Sequence, residues 1–232
     1  MKKLLTGMLL ACMLLGFGST AFAQTGEVSL EQWFATHAYE IKAGSQTMMD
    51  LDAPARLTGL KGEVNVTKQL SIAGSFLFGK SDDFKDEGLV LGHAELSNLN
   101  IAAQYQVIPM VKVQAGYVSG TWDVVKESKS ISKMGLSGIT LGAAVDADLG
   151  NGIGVFGEAL YAPKVNAKPK SSDEKVDDAN MLAFEAGAKY DFGQFNVKGG
   201  YRYQGFNLTN KGEQGELGLT FSGLFIGAGF SF

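Results

Sequence analysis

The sequence predicts an all-β protein: a closed, antiparallel, up-and-down transmembrane β-barrel of ten strands, with eight as the alternative. Three observations predict it. Apolar and polar residues alternate with period two along most of the chain, the connections alternate between short and long, and aromatic residues gather at both ends of the apolar faces. The composition agrees: 232 residues are 45% hydrophobic and 19% charged, with 31 glycines and four prolines. That glycine excess has no collagen period. A net charge of -4 argues against nucleic acid as a partner.

Residues 1–23 read as a cleaved secretory signal peptide. Lys2 and Lys3 precede an uncharged stretch that ends in Ala21-Phe22-Ala23 before Gln24. A membrane helix and a lipoprotein box at Cys12 are the competing readings; Gly16, Gly18, Ser19 and Thr20 break the first, and a short apolar run disfavours the second. Cleavage removes the one cysteine, so disulfides and thiolate metal sites are excluded from the mature chain. Residues 24–36 are expected to be a periplasmic lead-in or a short helix, because Ser29 and Gln32 stand at capping-box spacing beside Leu30, Trp33 and Phe34.

The barrel is expected over 37–232, with strands near 37–47, 55–67, 70–80, 95–107, 111–122, 135–149, 153–162, 181–192, 195–206 and 219–232. From Gly138 to Leu149 one parity carries Ile139, Leu141, Ala143, Val145 and Ala147, and the other carries Thr140, Gly142, Ala144, Asp146 and Asp148. A strand can present those two faces and a helix cannot. Segments of this length suit a tilted crossing of ~30 Å of hydrocarbon.

Short links fall at Thr67–Gln69, Ile108–Met110, Gly150–Gly152 and Gly193–Gln194. Long polar links are expected at Met48–Pro54, Ser81–Ala94, Asp123–Met134, Pro163–Asn180 and Asn207–Gly218. In outer-membrane barrels the long loops face out of the cell. On the apolar parity, Tyr105, Tyr190, Phe192, Phe195, Phe230 and Phe232 sit near the short turns. Phe76, Phe78, Tyr117, Tyr161, Phe184, Tyr201 and Tyr203 sit near the long loops, as the two aromatic girdles. The other parity supplies a polar lumen network: Glu40, Lys42, Lys61, Glu63, Lys112, Glu158, Glu185, Lys189, Lys198 and Arg202. Both signs occur, so these groups can pair across a narrow, mostly filled lumen. Gly138, Gly142, Gly187 and Gly200 give that face room and curvature.

The signal sequence, the alternating strands and the final segment Gly223–Phe232 resemble the small outer-membrane β-barrel proteins of Gram-negative bacteria, the OmpA/OmpX-like barrel domains. The resemblance implies location in the outer membrane and contact with the lipid bilayer and lipopolysaccharide. It also implies a C-terminal assembly signal, Leu224, Ile226, Phe230 and Phe232, read by the barrel assembly machinery. A monomer without cofactor is expected. Three roles remain open: a structural or surface-interaction protein acting through its loops, a narrow porin-like channel, or a rim-located lipid-modifying enzyme.

No catalytic, cofactor or metal residue emerges from the sequence, and the expectation is that the chain is not an enzyme. Gly152, Gly154 and Gly157 match a dinucleotide fingerprint but open a strand rather than a helix. His37 is expected at the periplasmic start of the first strand. His93, with Glu95 nearby and Ser81 across the strand pair, reads as a solvated loop histidine. The acidic runs around Asp50 and Asp52, and from Asp82 to Glu87, lack EF-hand spacing.

Overall fold

In a computed structural model the described residues are 25–170, 176, 178–210 and 215–232; the expected signal peptide and the centres of the last two long links lie outside them. Among the described residues twelve strands form: β1 (Gly26–Ala43), β2 (Gln46–Asn65), β3 (Leu70–Ser81), β4 (Phe84–Asp86), β5 (Leu89–Ile108), β6 (Val111–Lys126), β7 (Lys129–Gly150), β8 (Ile153–Ala162), β9 (Val165–Pro169), β10 (Asp178–Phe192), β11 (Phe195–Asn210) and β12 (Gly215–Ser231). Each wall strand pairs antiparallel with its neighbours, β3 pairs with β5, and β1 closes the ring on β12 from Glu27↔Ser231 to Ala43↔Gly215. β4 continues the line of β3 along β5, and β9 continues that of β8 along β7. The wall is therefore a closed ten-stranded barrel. The second of those breaks falls at Pro163, which has no N–H to give a ladder.

The strands are longer than the sequence suggests, reaching 22 residues in β7. Three of the expected long loops are instead tight hairpins: Gly44-Ser45 joins β1 to β2, Glu87-Gly88 joins β4 to β5, and Glu127-Ser128 joins β6 to β7. Glu127 and Ser128 both take positive φ, 50° and 64°, as a hairpin turn matched to strand twist requires. The other end of the barrel carries the short links and both described chain ends.

The expected loops read as polar because the alternation changes phase along each strand. Near the short turns, apolar residues face out and polar residues face in. In β7 Ile139, Leu141 and Val145 point outward while Thr140, Gly142 and Asp146 point inward, and Ile139 is 67% exposed. Beyond one level the order reverses. Leu136 and Met134 are buried inside the barrel, with Ser137 and Lys133 outside.

The same switch falls between Phe34 and Thr36 in β1, Leu60 and Thr58 in β2, Phe78 and Lys80 in β3, Leu99 and Ser97 in β5, Tyr117 and Ser119 in β6, and Leu224 and Ser222 in β12. Below this crossover the exterior is a belt of Ile, Leu, Val, Phe and Tyr too continuous for water. From Ile139 to Leu149 ten residue steps of ~3.3 Å, tilted about 40°, make a band ~25 Å tall, the height of a barrel's apolar belt. Above it the barrel is built like a soluble one, with a dry interior and a polar exterior.

Residues 26–36 are part of β1, which corrects the expected lead-in or helix. Ser29 does not cap a helix: its Oγ accepts from Lys198 Nζ at 2.9 Å, and Gln32 Nε2 donates to Leu57 O at 3.0 Å. Ladder pairing on both sides of β1 outweighs a weak local helix signal. Inside the barrel, Gly187 and Gly200 stand directly opposite each other, and a β-carbon on Gly187 would come within 2.7 Å of the Phe156 ring. Gly187 makes the space that Phe156 fills.

The crossover can be checked by aqueous maleimide labelling of single-cysteine variants in proteoliposomes. Thr36→Cys and Ser222→Cys are expected to react readily, and Phe34→Cys and Leu224→Cys to stay protected.

Candidate functional site: a two-layer lumen

On the inward face of the belt region, charged and amide side chains from eight of the ten wall strands meet. Ser71 Oγ donates to Gln104 Oε1 (3.1 Å), Gln104 Nε2 to Gln114 Oε1 (3.0 Å), and Gln114 Nε2 to Glu158 Oε1 (2.7 Å). Lys61 Nζ lies 3.8 Å from Glu158 and 2.5 Å from Glu185. Arg202 bridges Glu185 (2.7 Å) and Glu31, and Lys198 meets Glu31 at 2.8 Å. Lys112 pairs with Glu63, and Lys189 pairs with Asp146 at 2.7 Å. The Glu31 side chain is wholly buried. A cavity of about 260 Å³ runs among these groups and ends against Leu77, Val118, Phe156, Leu160 and Met181.

Eight of the ten sequence-selected network residues take part in this constellation: Lys61, Glu63, Lys112, Glu158, Glu185, Lys189, Lys198 and Arg202. Glu40 and Lys42 do not. Inward positions of β1 are odd-numbered, so both side chains point outward and pair with each other at 2.9 Å above the crossover. The even parity of the upper strand is polar and so suggests the lumen, but phase inversion places that parity on the water side. Glu31, to which both Arg202 and Lys198 reach, is the residue the sequence reading misses. Its signal was present in Glu27, Ser29 and Glu31 alternating with Val28 and Leu30.

Directly above the network lies an apolar plug. Trp33, Leu57, Phe221 and Phe225 are at most 1% exposed, and Trp122 is 2% exposed. Trp33 Nε1 donates to Gly223 O at 3.2 Å. The Arg202 guanidinium sits 4.4 Å over the Phe225 ring and 5.5 Å over Trp33, joining the two layers through cation–π contact. His37 stacks on Phe221 at 4.1 Å with an 8° interplanar angle, and Phe84 and Trp122 approach it at 5.2 and 6.3 Å. His37 is thus in the upper half of the lumen, not at the periplasmic start of a strand. Phe84 reaches the plug from the short strand β4, so the β4–β5 hairpin helps to cap the barrel.

Both His37 ring nitrogens lack a hydrogen-bond partner among the described residues. His93 lies on the outer wall, with Nδ1 3.4 Å from Asp83 and Nε2 3.7 Å from Glu95. Ser81 faces the interior, where its Oγ accepts from Ala94 N at 2.9 Å. The two are not brought together as a nucleophile and base.

No protein-family model matches the chain, and no curated protein matches it in sequence. Among solved structures, the outer-membrane protease OmpT from Escherichia coli superposes with a TM-score of 0.53 at 14% identity, over 93% of this chain and 99% of that one. An outer-membrane channel from Pseudomonas putida gives a TM-score of 0.48 at 11% identity, covering 93% and 98% of the two chains. The attachment invasion locus protein Ail of Yersinia pestis gives 0.35 at 14%, covering 89% and 99%. The fold is that of the small outer-membrane β-barrels, and with its apolar belt the chain is an integral barrel of the outer membrane. The likeness to OmpT corrects the expectation that the chain is not an enzyme: this architecture carries a protease elsewhere, so the fold gives no ground for excluding catalysis.

Arg202→Ala leaves Glu31 with Lys198 and Glu185 with Lys61, but removes the guanidinium that joins the two pairs. It is expected to cost about 1.5–3 kcal/mol in urea unfolding from lipid, while Glu40→Ala leaves the midpoint unchanged.

Proposed function

We propose that this protein acts at the outer rim of a closed barrel, as a structural or surface-interaction protein, and does not conduct solutes. One observation carries the reading: the plug of Trp33, Leu57, Trp122, Phe221 and Phe225 shuts water out of the upper lumen. A continuous aqueous path would have to wet those side chains. The belt and the short turns orient the molecule, with the turn end in the periplasm and the hairpin end outside. The extended hairpins β1–β2, β4–β5 and β6–β7 then present a rigid polar surface to the exterior, with lipopolysaccharide around its base.

The polar half of the lumen supports the same reading from below. Its cations and carboxylates are spent on one another across the barrel, which braces the wall at membrane level. At the closing edge, Phe232 N donates to Gly26 O and Gly26 N to Phe232 O, both at 2.9 Å. Leu224, Ile226 and Phe230 face outward along the last strand, available to the assembly machinery before β12 closes on β1.

In planar bilayers the purified protein is expected to give no steady open conductance. Replacing Trp33, Trp122 and Phe221 together by Ala should introduce one. A large conductance from the unaltered protein would refute the closed-barrel reading.

A further inference from the structure

The lumen cavity has two ends of different character. Its mouth lies at the short-turn end, among Glu27, Met110 and Asp146, where the Asp146 side chain is 54% exposed. Its blind end lies under the plug, against Leu77, Val118, Leu160 and Met181. Every cation along it already meets a carboxylate, so a charged solute would have to break an ion pair to find a partner.

The blind end instead holds unspent amides. Asn98 is 8% exposed and Gln204 6% exposed, and both line the cavity, yet Asn98 Oδ1 and Gln204 Nε2 have no hydrogen-bond partner among the described residues. Asn100 Oδ1, one inward position below Asn98, is unpartnered in the same way. Leaving such a buried group unmade costs about 1–3 kcal/mol. Asn98 stands beside Leu77 in the ladder and Gln204 beside Phe221, so both lie just under the plug. β5 and β11 are five places apart in the ten-strand ring, and the two asparagine carbonyls therefore face the Gln204 amide across the lumen.

We propose that the blind end binds a small neutral amphiphile entering from the turn side, a compact apolar ring with hydroxyl or carboxamide groups at opposite ends. A donor on one end meets Asn98 and Asn100, an acceptor on the other takes the Gln204 N–H, and the ring lies against Leu77, Val118, Leu160 and Met181. An apolar cavity of about 150 Å³ holds benzene, and on that scale the 260 Å³ here suits roughly ten non-hydrogen atoms. The inference goes beyond the outer-rim role and rests only on the plug closing the lumen above the site.

The test uses the whole barrel, labelled with carbon-13 in its methionine methyl groups, in phosphatidylcholine nanodiscs. 4-Hydroxybenzamide is titrated by NMR beside a charged analogue, 4-hydroxybenzoate, and an apolar one, 4-ethyltoluene. Met181 reports from the blind end, and Met48 on the β1–β2 hairpin is the control. Hydroxybenzamide is expected to shift the Met181 methyl saturably and leave Met48 unmoved, with both analogues binding at least tenfold more weakly. Asn98→Leu/Gln204→Leu should weaken hydroxybenzamide at least tenfold and strengthen ethyltoluene. Ala183 lies between Gln204 and Leu160 in the ladder, so Ala183→Leu should fill the chamber and abolish binding with both amides in place. Lys168→Gln on β9 behaves as the unaltered protein, and heat-dependent gel mobility confirms that each variant is folded. An unmoved Met181 methyl would leave the chamber to water alone and overturn the proposal. Equal binding of the three probes, or full binding in both lumen variants, would overturn it too. The conductance measurement tests the plug by itself: a closed barrel with a silent Met181 sinks only this proposal, and an open one sinks the closed-barrel reading as well.

Discussion

An unpaired peptide group in hydrocarbon costs several kcal/mol, and the rest of this structure depends on avoiding that cost. The wall has no free edge at membrane level because β12 returns to β1 along its whole length, from the Glu27↔Ser231 pair upward. Closure with ten strands leaves an interior too wide to be filled by backbone and too narrow for a broad aqueous channel. Inward side chains must therefore solve a packing problem, and this sequence solves it twice, by different chemistry at two heights.

At the level of the belt the interior is ionic, although burying charge carries a desolvation penalty that pairing must offset. Arg202 shows how the pairing is shared: one guanidinium serves Glu31 on β1 and Glu185 on β10, and its face rests on Phe225 of β12. Above that level the interior is apolar, and the hairpins need no lipid around them because their hydrophobic contacts are internal. The molecule is thus a membrane barrel continued by a soluble one, with Arg202 touching both. The tight turns at Gly44, Gly88 and Glu127-Ser128 follow from this continuation, since strands that keep pairing to their ends need only two residues to reverse.

Much of the architecture was legible in the sequence. Period-two alternation and regular turn spacing gave the all-β class, the ten-strand count and the outward placement of both aromatic girdles. They failed where the phase of the alternation changed. Asp50 and Asp52 look like loop residues until Leu51 and Ala53 are seen packed inside a strand, and Glu40 and Lys42 look like lumen residues until their parity is traced to His37 and Trp33. The N-terminal segment failed for another reason: capping-box spacing at Ser29 and Gln32 imitated a helix start, and hid Glu31 from the network. Pairing partners distant in sequence decide such cases, and a single chain read in order does not display them.

The two tryptophans of this protein both lie in the plug, at Trp33 and Trp122, which makes the dry upper lumen open to one direct measurement. Fluorescence of the barrel in lipid vesicles can be challenged with acrylamide from water and with brominated acyl chains from the bilayer. A blue-shifted emission that neither quencher reduces is the predicted result, because both indoles face inward and neither meets solvent. Strong quenching by acrylamide would mean a wet lumen, strong quenching by brominated lipid would mean tryptophans facing out, and either would contradict the two-layer interior.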